Sequence, residues 1–243
     1  MALVAYDVAA YDVAAHDPAL LSPALEIVPA PAQTMADLLR HPALQRLGEQ
    51  ITSVPEGKPV WSRAEMTGRL CELSAGADGA LLSAAMAVVL DTQLAGDPVA
   101  WVTVTAATFY PPDAVACGVD LAALVVVRTA GNMRAAGRAA DVLLRSGAYG
   151  LVVLDLGTSA ALPTPLQGRL VQLAIKHDAA VLCLTEKEPD AASLGSLVSL
   201  RGQVQRRRCP GKNFSCRIGT LKDKRRGPGW TAEEMRRGPD GLH

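Results

Sequence analysis

From residue 69 to residue 186 the chain alternates between two kinds of segment, and this alternation restricts the fold more than any other feature. The runs RLCELSA (69–75), VAWVTVTA (99–106), AALVVVRTA (122–130), YGLVVLDLG (149–157) and AAVLCLTE (179–186) are short and apolar almost throughout. Between them lie ALLSAAMAVVLDTQLA (80–95), NMRAAGRAADVLLRSG (132–147) and PLQGRLVQLAIKHD (165–178), which read as helices; Ala136, Ala140 and Leu143 mark one face of the second. Strands apolar on both sides, separated by helices, predict a parallel sheet covered on both faces. Aromatics make up only 4% of the residues, so alanine, valine and leucine must fill that core.

After residue 193 the pattern changes to period two. SLVSLRGQVQRRR (196–208) and NFSCRIGTLKDKRR (213–226) place Val198, Leu200 and Val204, then Phe214, Cys216 and Ile218, at alternate positions. The turn CPGKN joins them, which predicts an antiparallel hairpin on the sheet edge with its Arg and Lys side chains toward solvent. The expected fold class is therefore α/β, a mostly parallel sheet covered by helices with a C-terminal antiparallel hairpin. The expected organisation is an arm over 1–33, a helical segment and linker over 34–58, a core over 59–221 and a basic tail over 222–243. The arm repeats itself as VAYDVAAYDV before a proline-rich stretch. In the helical segment Thr34 reads as a cap with Asp37 in the first turn, and Pro42 interrupts the leucine pattern.

The formal net charge of zero conceals an asymmetry. Residues 201–237 hold twelve Lys or Arg and three acids, whereas residues 1–200 hold twelve basic and twenty acidic residues. A basic C-terminal fifth suggests a polyanion or an acidic protein as partner, or a solvated face balancing the acidic body. The N-terminus carries aspartates and no basic start, and no apolar run approaches the about 18 residues of a membrane span. A cytoplasmic location is the expectation. Cys71, Cys117 and Cys183 sit in apolar segments and read as small hydrophobes. Cys209 and Cys216 flank the hairpin turn and could touch. The histidines are scattered without metal-ligand spacing.

Ligands of such folds bind at the carboxyl ends of the strands. After RLCELSA the loop carries Gly76, Asp78, Gly79 and Ser83, where a phosphate loop would need two glycines, a lysine and a hydroxyl. In either register a leucine, Leu81 or Leu82, occupies the lysine position, and Asp78 would repel phosphate. Asp155 ends an apolar strand as a magnesium-holding acid would. No acid lies between Asp97 and Asp113 to activate water; Thr105 or Ala106 falls there. Without cation and base, hydrolysis would forfeit several kcal/mol of transition-state stabilisation. No cofactor is expected, neither ATP nor magnesium, and no enzymatic activity.

The order of these pieces resembles the RecA-like recombinase core, over roughly residues 60–235. The similarity is greatest over CGVDLAALVVVRTAGNMRAAGRAADVLLRSGAYGLVVLDLGTSAALP (117–163), and EMTGRLCEL (65–73) and FSCRIGTLKDKRRGPGW (214–230) look similar too. RecA has two mobile DNA-binding loops. The corresponding segments here are only LGTSAALPT and KEPDAA, and the nucleotide-sensing pair corresponds to Thr185 and Glu186. With LLRHPALQRL ahead of the core and LKDKRRGPGW near the end, the chain resembles the ImuA family, RecA-like accessory proteins of the bacterial translesion-synthesis mutasome.

That resemblance implies a non-catalytic adaptor in SOS damage tolerance, binding an ImuB-like Y-family-related protein and a RecA-like recombinase. The alternatives are a weak RecA-class DNA-dependent ATPase and a SulA-like cell-division inhibitor. The arm, through Val4, Tyr6, Val8 and Tyr11, would add to another chain's sheet edge, including that of a second copy. Arg201, Arg206, Arg207, Arg208, Lys222, Lys224, Arg225 and Arg226 would contact DNA or an acidic partner. Trp230 is the one aromatic nearby that reads as exposed.

Overall fold

The computed structural model describes residues 5–7, 60–76, 79–104, 109–158, 160–209 and 213–237, with the backbone alone at 5–7 and 236–237. The expected helix over 34–50, the arm residues Val4, Val8 and Tyr11, Asp78, the Thr105–Ala106 position and the tip of the hairpin turn lie outside them. The strands are β1 (Ala5–Asp7), β2 (Leu70–Ala75), β3 (Val99–Thr103), β4 (Leu124–Arg128), β5 (Leu151–Gly157), β6 (Ala180–Glu186), β7 (Leu200–Arg208), β8 (Asn213–Asp223) and β9 (Thr231–Arg237). The helices are α1 (Arg63–Met66), α2 (Leu81–Leu94), α3 (Pro111–Ala116), α4 (Met133–Ser146) and α5 (Thr164–Lys176).

The strands form one sheet in the order β1-β4-β3-β5-β6-β2-β7-β8-β9. β1 through β7 pair in parallel, and β7, β8 and β9 are antiparallel neighbours. Crossover helices cover both faces, so β2, β3 and β5 are buried at every position. This is why their sequences lack alternation. On one face Cys71, Leu73, Trp101, Leu151, Leu182 and Leu184 meet Ala84, Ala85, Val88 and Val89 of α2 and Ala114 of α3. On the other, Ala100, Val102, Val152, Leu154, Val181 and Cys183 meet Ala136, Ala140 and Leu144 of α4 and Leu170 and Ala174 of α5. Leu144, not Leu143, is the fully buried leucine of α4; Leu143 packs at its margin. Asn132 caps α4 by accepting from the Ala135 N–H at 3.0 Å, and Gly147 ends it at φ 68°, a left-handed position that suits glycine.

The hairpin forms as its alternation predicts: Val204, Phe214, Cys216 and Ile218 are buried together. The expected core boundary at 221 moves: β8 continues to Asp223, and β9 adds a further strand along β8 inside the stretch read as a basic tail. Ala232 of β9 packs against the core, which gives the strand a reason to stay. The N-terminal strand lies in parallel on β4, Tyr6 opposite Val127.

Charge is divided between the two helix layers. Residues 70–127, which supply α2 and α3, hold six acids and no Lys or Arg. Residues 128–178, which supply α4 and α5, hold six Lys or Arg and three acids. Among the described residues no helix is long and apolar enough to cross a membrane. None of the five cysteines forms a disulfide; Cys71, Cys183 and Cys216 are buried, and Cys209 lies 4.0 Å from the Met235 sulfur.

Candidate functional site

The loop between β2 and α2 keeps the outline of a phosphate loop but has no lysine at the cation position. The Gly79 N–H donates to the Gly76 carbonyl at 3.0 Å, closing a tight turn. A Cβ at Gly79 would collide with the Ala75 side chain, so only glycine closes it. An amide spent inside the loop cannot reach a phosphate. Leu81 packs against the core and Leu82 is exposed, so the lysine position holds no cation in either register. Ser83 is half-buried on α2. The carboxylate of Glu188 lies against Gly76 and places a negative charge on the loop.

Asp155 stands on β5 in register with Thr103 of β3. It is buried and accepts a hydrogen bond from the Thr103 hydroxyl at 3.2 Å, while Thr129 donates to the Thr103 carbonyl at 3.2 Å. Thr185 is buried and donates to Glu72 at 3.0 Å, whereas Glu186 is exposed. The pair that resembles a nucleotide sensor is therefore split, one side chain tied into the sheet and one in solvent.

Glu72 was not singled out by the sequence reading, and it organises this end of the molecule. It is fully buried and accepts from Ser193 Oγ at 3.0 Å and from the Leu194 N–H at 2.9 Å. Lys187 Nζ lies 2.5 Å away and Arg201 Nε 3.9 Å. Burial alone would raise its pKa; the Lys187 contact, the Leu194 amide and the Ser193 hydroxyl outweigh that and hold the carboxyl below its ordinary value. Lys187 also donates to the Ala192 carbonyl at 2.7 Å, and Arg201 to Ala191 at 2.5 Å. The short segment after β6 is thereby fastened to the sheet. The visible signal was an acid inside the otherwise apolar LCEL (70–73), since a buried carboxylate must find partners.

The basic C-terminal residues divide into two groups. Arg206, Arg207 and Arg208 are exposed on β7, and Arg206 stacks over the Phe214 ring at 4.7 Å. Of the others, all but Lys224 are wholly or partly buried, contrary to expectation. Arg201 is buried in the Glu72 network. Arg225 donates to the Thr67 carbonyl at 3.0 Å, and Arg226 pairs with Glu65 at 2.6 Å. Lys222 is half-buried, and Lys224, although exposed, donates to the Ser196 carbonyl at 2.8 Å. Beneath them Arg69 and Asp223 form a buried pair at 2.6 Å. Trp230 is half-buried as well: its indole N–H donates to Asp223 at 3.1 Å and its ring lies 5.7 Å from that of Trp61. These cations replace contacts that an antiparallel extension with few aromatics cannot supply by packing.

No protein-family model matches the chain, and no curated protein matches its sequence. Among solved structures it is similar to the RadB recombinase, with a TM-score of 0.51 and 15% identity, over 69% of this chain and 87% of that one. The strand order, the helices on both faces and the antiparallel C-terminal strands thus form a RecA-like core fold.

Proposed function

We propose that the chain is a non-catalytic, RecA-like adaptor in SOS damage tolerance and error-prone translesion synthesis, of the ImuA type. The observation that carries this reading is the closed loop after β2: its glycine amide is spent internally, leucine stands at the lysine position, and Glu188 adds a negative charge. A scaffold kept without the phosphate-binding lysine is suited to binding proteins rather than turning over nucleotide. The partners proposed are an ImuB-like Y-family-related protein and a RecA-like recombinase. Contacts run through the exposed arginines of β7 and through the N-terminal arm, which would have to leave β4 to join another chain's edge.

Calorimetric titration of the full chain with Mg-ATP tests the absence of catalysis. No heat of binding is expected at micromolar ATP, and micromolar affinity abolished by Asp155→Ala would overturn the reading. A weak ATPase is the second reading, favoured by one observation: Asp155 keeps its strand-end place beside Thr103. Pull-down of a tubulin-like division protein would instead favour the SulA-like alternative.

A further inference from the structure

One concave surface is left without a role. A cavity of about 520 Å³ opens between the Gly76–Gly79 turn, the segment at Glu188 and one face of β7–β9. The strand register defines that face. Gln205 stands opposite Arg217, which stands opposite Glu233 of β9, and Arg207 stands opposite Ser215. Alternation sends the Arg206 and Arg208 side chains to the other face, where Arg206 covers Phe214; of the two, Arg206 also borders the cavity and Arg208 does not.

Ser215 belongs to the wall of this cavity and is 2% exposed, and its buried hydroxyl has no hydrogen-bond partner. Buried hydroxyls are nearly always bonded, so an orphan in a cavity wall marks a place where a ligand could supply the bond. Arg207 lies directly across from Ser215, and Arg217 is two residues along the same strand, on the same face. Both guanidinium groups are exposed, and neither makes an ion pair or hydrogen bond among the described residues, although Glu233 is the cross-strand neighbour of Arg217. The cavity falls within the usual range of ligand sites.

We propose that Arg207, Ser215 and Arg217 form a seat for a phosphate oxyanion. Two planar guanidinium forks match phosphate geometry, and a hydroxyl between them donates a third bond to the same anion. The seat differs from the closed loop after β2 in its donors, which are side chains of the antiparallel extension. Glu188 and Glu233 at the rim oppose a polyanion lying flat across the cavity and favour a single phosphate entering at a time. Among the described residues no aromatic ring lines the cavity, so recognition is of the phosphate rather than of a stacked base. The phosphate belongs either to a single nucleic-acid strand or to a free anion. The proposal refines the basic-hairpin contact of the adaptor reading and shares only its location; the ATP titration can fail while this seat stands, and the reverse.

The test uses the full chain with two probes at low salt: calorimetry with inorganic phosphate and fluorescence anisotropy with a labelled oligothymidylate. Arg207→Gln and Arg217→Gln are each expected to weaken binding by about tenfold, and Ser215→Ala by about threefold, as charge-assisted and neutral hydrogen bonds do. Arg208→Gln removes the same charge from the opposite face and should change affinity less than about twofold. Binding of inorganic phosphate with this pattern supports the seat and identifies a free anion; binding of the oligonucleotide alone with this pattern supports it and identifies a strand. Binding of neither probe, or an equal loss in Arg208→Gln, overturns it. Circular dichroism melts of the variants should match the parent, which separates lost contacts from lost fold.

Discussion

Gly79 and Glu72 decide what the end of β2 can do. Gly79→Ala should lower stability by about 1–3 kcal/mol, since the added methyl would overlap Ala75 and the turn has no room to shift; a reduced urea midpoint at unchanged slope checks this. Glu72 and Asp223 both titrate below their ordinary values in the fold. At Asp223, burial acts to raise the pKa, while the Arg225 amide, Arg69 and Trp230 lower it more strongly. A carboxyl depressed in the folded state contributes stability above its unfolded pKa, and that contribution is lost as pH falls through the folded value. Unfolding free energy is therefore expected to be flat from neutral pH down to about 5 and to fall below about 4.5, where unfolded carboxyls begin to bind protons. Urea titrations at pH 7, 4 and 3 read this out, and Glu72→Gln should shrink the acid-side slope. Asp223→Asn leaves Arg69 buried and unpaired, with an expected loss of about 3–5 kcal/mol.

At the level of elements, the antiparallel extension is where prediction and structure part. Truncation after Gly229 would remove Trp230 and β9, uncovering Ile218 and breaking the Trp61–Trp230 contact. A melting temperature lowered by several degrees, with loss of cooperativity, is expected; an unchanged melt would show that β9 adds nothing. Reversing the charges of Arg206–Arg208 should leave the melt intact, since these side chains are exposed. The parallel strands were legible because complete burial leaves an unbroken apolar run, as in LVVLDLG. The hairpin was legible from alternate Val204, Phe214, Cys216 and Ile218. β9 was not: TAEEMRR has one small apolar anchor, Ala232, and its pairing comes from the β8 backbone rather than from its own pattern. The closed loop was legible as a missing lysine. The seat at Ser215 was not, because only the register of β7 with β8 brings Arg207 beside Ser215.

Across the whole molecule, β1 is a three-residue strand that pairs, among the described residues, with β4, about 120 residues away in sequence. Its ordering has to overcome a long loop closure for few hydrogen bonds. Deleting residues 1–10 should therefore leave the urea midpoint of the core nearly unchanged, and a large drop would mean that β1 is integral to the fold. The two helix layers carry opposite charge, acidic through α2 and α3 and basic through α4 and α5. Such a separation adds a dipole component across the sheet to the positive charge of the β7–β9 extension, although the net charge is zero. Approaching any anionic surface, the protein would turn during diffusion so that the extension and the α4–α5 layer arrive before the acidic layer. The rate of encounter would then fall with added salt while the lifetime of the bound state changed little.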